Sequence, residues 1–369
     1  MYLFGWGILN MNNKFQREYF QNEDLSDCFF DSLKSDYAEF ELWFGKKAEN
    51  KEQAFIYRED GIKAFLYLKK EYGDDCEEIE LDTQVIPAES RIKIGTLKLL
   101  DTVQGMRLGE GAIGMALWFW QKEPVNEIYV TVFEKHAKLI NILENFGFVC
   151  RGNNRRGERV YFKDKRSLDT DSAYKLFPYI DVNFEKCGYI PIEDHFHDTL
   201  FPYSELKNTE QESEEIAAAN GITKVFIATP SSKIDYESKD PVLIYRIHTG
   251  DGKKSFKSVV TSFCTIVKTI EVKQWGRSII SFDDFIKCVG NKSVYSKDEL
   301  EYIYKEKKTI YVLVMVYNGY LGSGNNITYR ALKDKGYFEG YPYLVKLNEA
   351  EFKDILRMGG KDVHNIVIN

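Results

Sequence analysis

The stretch QGMRLGEGAIG, residues 104–114, stands between RIKIGTLKLL (91–100) and an apolar helical run through Ile113 to Lys122. The first flank alternates and reads as a strand; the second is rich in Ala, Leu, Met and Trp and is stopped by Pro124. A glycine-dense turn from strand to helix lets backbone approach an anion closely. The amides and the positive dipole end at the helix start then cradle phosphate oxygens. Working outward, EIYVTVF (127–133) is a β-branched and aromatic strand, and Lys135 to Asn145 is a second helix ended by Gly147. Phe148 to Phe162 forms a hairpin turning at Gly152 to Gly157. Upstream, Asp24 to Lys47 is helical, and Ala54–Arg58 and Ile62–Lys69 are strands joined by Glu59-Asp60-Gly61. The order is α/β, with a ligand expected at the turn that follows the first strand of the unit.

The turn resembles the acetyl-CoA pyrophosphate loop of the GNAT superfamily, written Q/R-x-x-G-x-G/A, with Gln104, Arg107 and Gly109 at its first, fourth and sixth positions. EIYVTVFEKHAKLINILENFGFVCRG resembles that superfamily's next strand and helix, ending in the pair Gly147-Phe148, and DSLKSDYAEFELWFGKKA resembles the helical opening of a GNAT subgroup. The resemblance spans residues 12–166 and implies a mixed sheet with flanking helices, N-acetyltransferase activity and acetyl-CoA as cosubstrate. It implies coenzyme contacts from Leu99 and Leu100 on the strand, from Gln104, Gly105, Met106, Arg107, Leu108, Gly109 and Glu110 in the loop, and from His136. His136 reads equally as a residue of a helix start, Glu110 more as a dipole-satisfying residue than as a base, and Tyr129 and Thr131 as strand residues packed on the core. The chain departs from the pattern twice. Arg107 replaces a glycine and offers a charge-assisted phosphate contact. Leu143 stands where many members carry the tyrosine that protonates the departing thiolate, so the catalytic acid and base are unassigned.

From Lys224 the texture changes to short strands between polar turns, KVFIA, PVLIYRI, FKSVVTSFCTIVKTI and TIYVLVMVY, which suggests a small barrel or sandwich. From about Phe177 the chain resembles the C-terminal regions fused to this GNAT subgroup, which end in a PUA-like barrel of the ASCH and EVE kind. FHDTLFP, ITKVFIATP, DPVLIYRIHTG and SFKSVVTSFCTIVKTI carry the resemblance, with YSKDELEYI and FKDILRMGG as flanking helices. It implies RNA or a modified base as partner, with Arg246, Lys253, Lys254 and Lys257 supplying charge and Tyr245 a stacking face. The alternative is a basic hairpin with Tyr245 buried. The expected organisation is residues 12–166 as the acetyltransferase domain, 167–220 as an extension packing on the second domain, and 221–369 as a β-rich PUA-like barrel with small helices.

The composition of the 369 residues sets outer bounds. Hydrophobic residues at 44% with 29% charged suit a globular chain, and the 24 Tyr and 25 Phe predict ring-rich cores. No apolar run approaches the roughly 20 residues that span a bilayer, and Tyr2 to Leu9 reads as a strand or a start-site artefact, not as a signal. Cys28, Cys76, Cys150, Cys187, Cys264 and Cys288 form no CxxC pair, which argues for a reducing cytoplasm and against structural zinc. His195-Phe196-His197 between Asp194 and Asp198 lacks a third ligand at zinc spacing. The net charge of −7 excludes uniform coating of nucleic acid but leaves room for a basic patch, one candidate being Arg151 to Arg166. Two functions emerge. One is an acetyltransferase acting on an RNA-linked amine or an RNA-associated protein; the other is a non-catalytic nucleic-acid or modified-base module with a degenerate acyl-CoA site.

Overall fold

The computed structural model describes residues 14–100, 107–201, 221–290 and 295–368; Tyr2 to Leu9, Gln104, Gly105, Met106 and Asn208 to Glu215 lie outside them. The architecture is mixed α/β, with a seven-stranded mixed sheet followed by a second sheet curled into a half-barrel. The first sheet uses β1 (Gln16–Tyr19), β2 (Gln53–Arg58), β3 (Ile62–Glu71), β6 (Arg91–Leu99), β7 (Glu127–Val132), β8 (Val149–Asn153) and β9 (Arg159–Asp164) in the order β1-β2-β3-β6-β7-β9-β8. A hairpin of β4 (Ile79–Glu80) and β5 (Val85–Ile86) lies between β3 and β6 in the chain. The β2–β3 turn places Asp60 and Gly61 at φ 51 and 104, the left-handed pair that a tight hairpin needs.

Phe30, just before helix α1 (Asp31–Asp36), and Phe40 and Phe44 of helix α2 (Phe40–Glu49) cover part of this sheet and pack with Phe20 and Phe65. Helix α3 (Leu108–Lys122) and helix α4 (Ala137–Asn145) pack with Ile92, Ile94, Ile128, Val130 and Val132. Helix α3 begins five residues before the Ile113 expected from the apolar run. It is apolar almost all round, and 11 of its 15 residues are buried. A helix of that kind needs cover on every side, and α3 finds it in both sheets.

The second sheet runs β11 (Gly188–Glu193), β13 (Pro241–Ile247), β14 (Val259–Gln274), β16 (Ile310–Tyr320), β12 (Thr223–Ala228), with β15 (Arg277–Ser278) and β17 (Ile327–Thr328) off β14. The 16-residue β14 shifts register against β16 at three places, and such bulges add bend and twist, which curls the sheet. Short helices decorate it: α5 (Ala173–Leu176), α6 (Asp194–Leu200), α7 (Lys254–Lys257), α8 (Phe282–Val289), α9 (Lys297–Glu306), α10 (Tyr329–Asp334) and α11 (Glu349–Met358). β10 (Ile180–Asp181) pairs with β18 (Val367–Ile368), tying the middle of the chain to its end. Among the described residues no helix is long and apolar enough to cross a membrane.

Lys163 on β9 joins the two halves of this framework. Its buried Nζ donates to the carbonyls of Phe146 and Lys175, both at 2.5 Å. Burial pushes its pKa down to about 7, and a neutral amine still has two N–H bonds for the two carbonyls. The unfolded chain keeps this proton up to the ordinary lysine value, so between pH 7 and 10 it binds more protons than the folded one and stability rises with pH. In Lys163→Met that contribution is expected to vanish, flattening the slope by roughly 1 kcal/mol per pH unit. Urea unfolding at pH 7 and pH 9 checks this; equal slopes for both proteins would rule it out.

Candidate coenzyme cleft

The cleft begins with one glycine. β6 and β7 are parallel and pair from Arg91–Glu127 to Ile94–Val130. On its other edge β6 pairs with β3, where Tyr67 faces Thr96 and Leu68 faces Ile94, so Gly95 is the extra residue of a bulge. A Cβ at Gly95 would lie 2.8 and 3.0 Å from the Tyr67 ring, so only glycine fits. The bulged strand bends, and beyond Ile94 it parts from β7. A cleft of about 1410 Å³ opens there, walled by β6, β7, the start of α4 and the α1–α2 helices.

The edge of β6 faces this opening with backbone donors. The Leu100 amide donates to Lys63 O at 2.9 Å. In an antiparallel ladder alternate residues point to opposite edges, so the amides of Leu97 and Leu99 point away from β3 and into the cleft. Of the two expected amides, that of Leu99 thus faces the cleft, whereas that of Leu100 is spent on β3.

At the far end α3 starts at Leu108. Leu108 and Gly109 are buried, and a Cβ at Gly109 would touch Ile142 and Leu99 at 3.0 and 3.1 Å, so this glycine lets α3 approach α4 and β6. The two charged residues of the turn face the second sheet. Arg107 donates to the Thr223 carbonyl, and Glu110 accepts from the Thr223 amide. The phosphate contact expected of Arg107 is thus displaced by a dock onto β12. His136 stands at the N-cap position of α4 without a side-chain capping bond, lines the cleft and sits 3.9 Å from Asp36. Leu143 is wholly buried, and no proton donor stands in its place.

The titratable groups of the cleft are ones the motif did not mark. Along β6 and β7, Ile92, Ile94, Ile128, Val130 and Val132 enter the core, so Lys93, Tyr129 and Thr131 alternate onto the other face. Tyr129 is buried in a small cluster with Phe162, as expected of a packed strand residue, and donates its hydroxyl to Glu71 at 2.9 Å. Burial first, then Glu71, pushes its pKa up. Glu158 is buried and held by neutral donors, Tyr37 at 2.6 Å, Asn154 at 2.8 Å and Thr131 at 3.3 Å. The signal for these residues was present: in the alternating RIKIG strand Arg91 and Lys93 take the face opposite Ile92 and Ile94, so that face had to open on solvent, a partner charge or a site.

In the second sheet the expected nucleic-acid residues separate. Tyr245 is 7% exposed and packs against Phe338 at 4.8 Å and Tyr189 at 6.3 Å. It has no face for a base to stack on, which corrects the expectation. Arg246 forks onto Asp198 at 2.8 and 2.7 Å and is mostly buried. Asp198 also meets buried His197, whose other ring nitrogen lies 2.8 Å from Thr261. Lys253, Lys254 and Lys257 remain exposed on and beside α7, with Phe256 between them 57% exposed.

No family model and no curated protein matches the chain. Solved structures align with parts of it. ZmASCH from Zymomonas mobilis aligns over 47% of this chain and 96% of its own length, at 11% identity and TM-score 0.30. A point mutant of the AtaT toxin aligns over 42% and 92%, at 14% identity and TM-score 0.29. The Campylobacter jejuni N-acetyltransferase PseH aligns over 41% and 98%, at 14% identity and TM-score 0.25.

Proposed function

We propose that the chain is an acetyl-CoA-dependent N-acetyltransferase, with the coenzyme lying between β6 and β7 and an amine entering from the α1–α2 side. The observation that carries this is the parting of β6 and β7 at the Gly95 bulge, which exposes the Leu97 and Leu99 amides to a cleft. Backbone donors fixed on a strand edge are suited to a thioester carbonyl whose oxygen gains charge as an amine attacks. Gln104, Gly105, Met106, Leu108 and Gly109 carry the diphosphate end in this reading. The acceptor is an amine on RNA or on an RNA-associated protein, a reading supported by the exposed lysines and Phe256 of 253–257.

CoA at 100 times its Kd is expected to stabilise the protein by about 2.7 kcal/mol, seen as a rise in Tm of a few degrees. Leu139 lines the cleft and is only partly buried, so Leu139→Trp fills the space without opening the core. The Tm rise should disappear in that variant while its ligand-free Tm stays close to that of the parent. Equal rises in both proteins would place CoA elsewhere. Labelled acetyl-CoA incubated with total RNA tests the acceptor: label only in protein or a metabolite removes the RNA-linked amine. Leu143 favours a second reading, a non-catalytic binding module, which any acceptor-dependent thioester turnover excludes.

A further inference from the structure

We propose that Lys93 is the proton donor to the departing thiolate, doing from β6 the work for which Leu143 offers no group. The inference rests on the acyltransferase reading of the same cleft. Lys93 is paired with Tyr129 one step before the last β6–β7 pair, so it stands where the two strands part. A coenzyme whose diphosphate lies near the start of α3 and whose arm runs along the β6 edge brings its sulphur to this end.

Lys93 lines the cleft, and its ammonium lies 5.5 Å from the centre of the Tyr129 ring. Among the described residues it has no hydrogen bond or ion pair. A largely buried ammonium left unpaired is costly, and such groups in clefts mark functional sites. The charges facing it are Glu71 and Lys69 from β3, Glu77 from the segment after β3, and Glu158 from the β8–β9 turn, with Tyr129 from β7. Glu71 is the nearest in effect, and it is itself held by Tyr129 at 2.9 Å and Lys69 at 3.4 Å. Burial lowers the pKa of Lys93, with Glu71 opposing. That makes its proton easier to give up than an ordinary lysine's, which suits a general acid.

The step balances. The acceptor nitrogen attacks the thioester carbon, and the C–S bond breaks with its electron pair left on sulphur. Lys93 gives that sulphur its proton. The surplus proton on the acceptor nitrogen passes to the Glu71 carboxylate and returns through cleft solvent to Lys93, so neither side chain is changed over the cycle.

The test uses CoA alone on the full chain, reading thiolate absorbance against pH for the wild type, Lys93→Met and Lys93→Arg. Thermal shift with CoA checks binding and folding of each. A nearby ammonium should hold the bound thiol's pKa below that of free CoA. In Lys93→Met the bound thiol is expected to titrate about one unit or more higher, with the affinity for the protonated thiol, measured well below its pKa, unchanged. Lys93→Arg should keep the low thiol pKa, because its charge remains. It should lose acceptor-driven turnover about 100-fold, because a guanidinium does not give up its proton. If CoA binds and the thiol titrates alike in wild type and Lys93→Met, or if Lys93→Arg turns over normally, the assignment of Lys93 falls alone. If the wild type binds no CoA, the coenzyme reading falls and takes this inference with it.

Discussion

A chain ended at residue 166 is expected to fail as an independent folding unit, because the helix that completes its first sheet is finished by residues beyond that point. Helix α3 is the element concerned. Its Trp118 indole donates to the Asn318 carbonyl at 2.9 Å, and its ring meets Phe177 at 5.4 Å and Tyr317 at 5.9 Å. One turn earlier Gly114 lies so close to Ile222 that a Cβ would stand 1.9 Å from its terminal carbon. A single cluster of buried side chains runs from Phe15, just before β1, to Tyr343 after the second sheet. Truncation would leave Trp118 and its neighbours in water and Arg107 and Glu110 without Thr223.

The expected result is strong binding of a hydrophobic dye and loss of the near-ultraviolet dichroism of the tryptophans. In the full chain Trp118→Ala should cost about 3–5 kcal/mol, as large-to-small core changes do. It should lower one common unfolding transition seen by probes in either half. A truncated chain that melts cooperatively and binds no dye would show that the two halves fold apart, and the α3 contacts would then be a docking surface only.

The strand, helix, strand, helix order from Arg91 to Asn145 was legible because each element carries its own period and stop signal, Pro124 and Gly147 among them. The all-round apolar character of α3 was also visible, yet it says only that the helix is covered, not by what. The partner of Gly114 is Ile222, and a contact of that separation leaves no local trace. The role of Gly95 lay in plain sight, since a glycine inside a strand pattern signals a bulge or a close approach. Arg107 and Tyr245 show the converse. A motif gives a residue's place in the chain, but whether its side chain meets ligand or protein depends on the second sheet, and β12 and Phe338 took both.

The end of the cleft where the strands meet supplies the other large effect. Arg91 and Glu127 are the first pair of β6 with β7 and are 1% and 2% exposed. The Arg91 Nε donates to Glu127 at 2.6 Å, and its Nη2 donates to the Pro87 carbonyl at 2.7 Å. Arg151 reaches the other Glu127 oxygen at 2.7 Å, and Arg166 stands at 3.2 Å. Burial alone would raise the Glu127 pKa; the hydrogen bonds from Arg91 and Arg151 outweigh it and hold it below the ordinary glutamate value. Glu127→Leu leaves the buried Arg91 charge with only Glu89, 3.6 Å away and partly exposed, a change that costs up to about 3–5 kcal/mol. The double variant Arg91→Met with Glu127→Leu removes both charges and should recover a large part of that loss, so the two changes are strongly non-additive.

The pH dependence follows from the same pair. A glutamate with a depressed folded pKa contributes stability above its unfolded value, and that contribution fades as pH falls through the folded pKa. Wild type should therefore lose stability below about pH 4.5 more steeply than the double variant. Urea unfolding of the four proteins of the cycle, at pH 7 and again at pH 4, measures both effects. Additive losses at pH 7, or parallel acid limbs for wild type and the double variant, would show that the ion pair does not hold β6 to β7. In that case the side chains of Ile92, Ile94, Ile128 and Val130 alone would set the point at which the strands part.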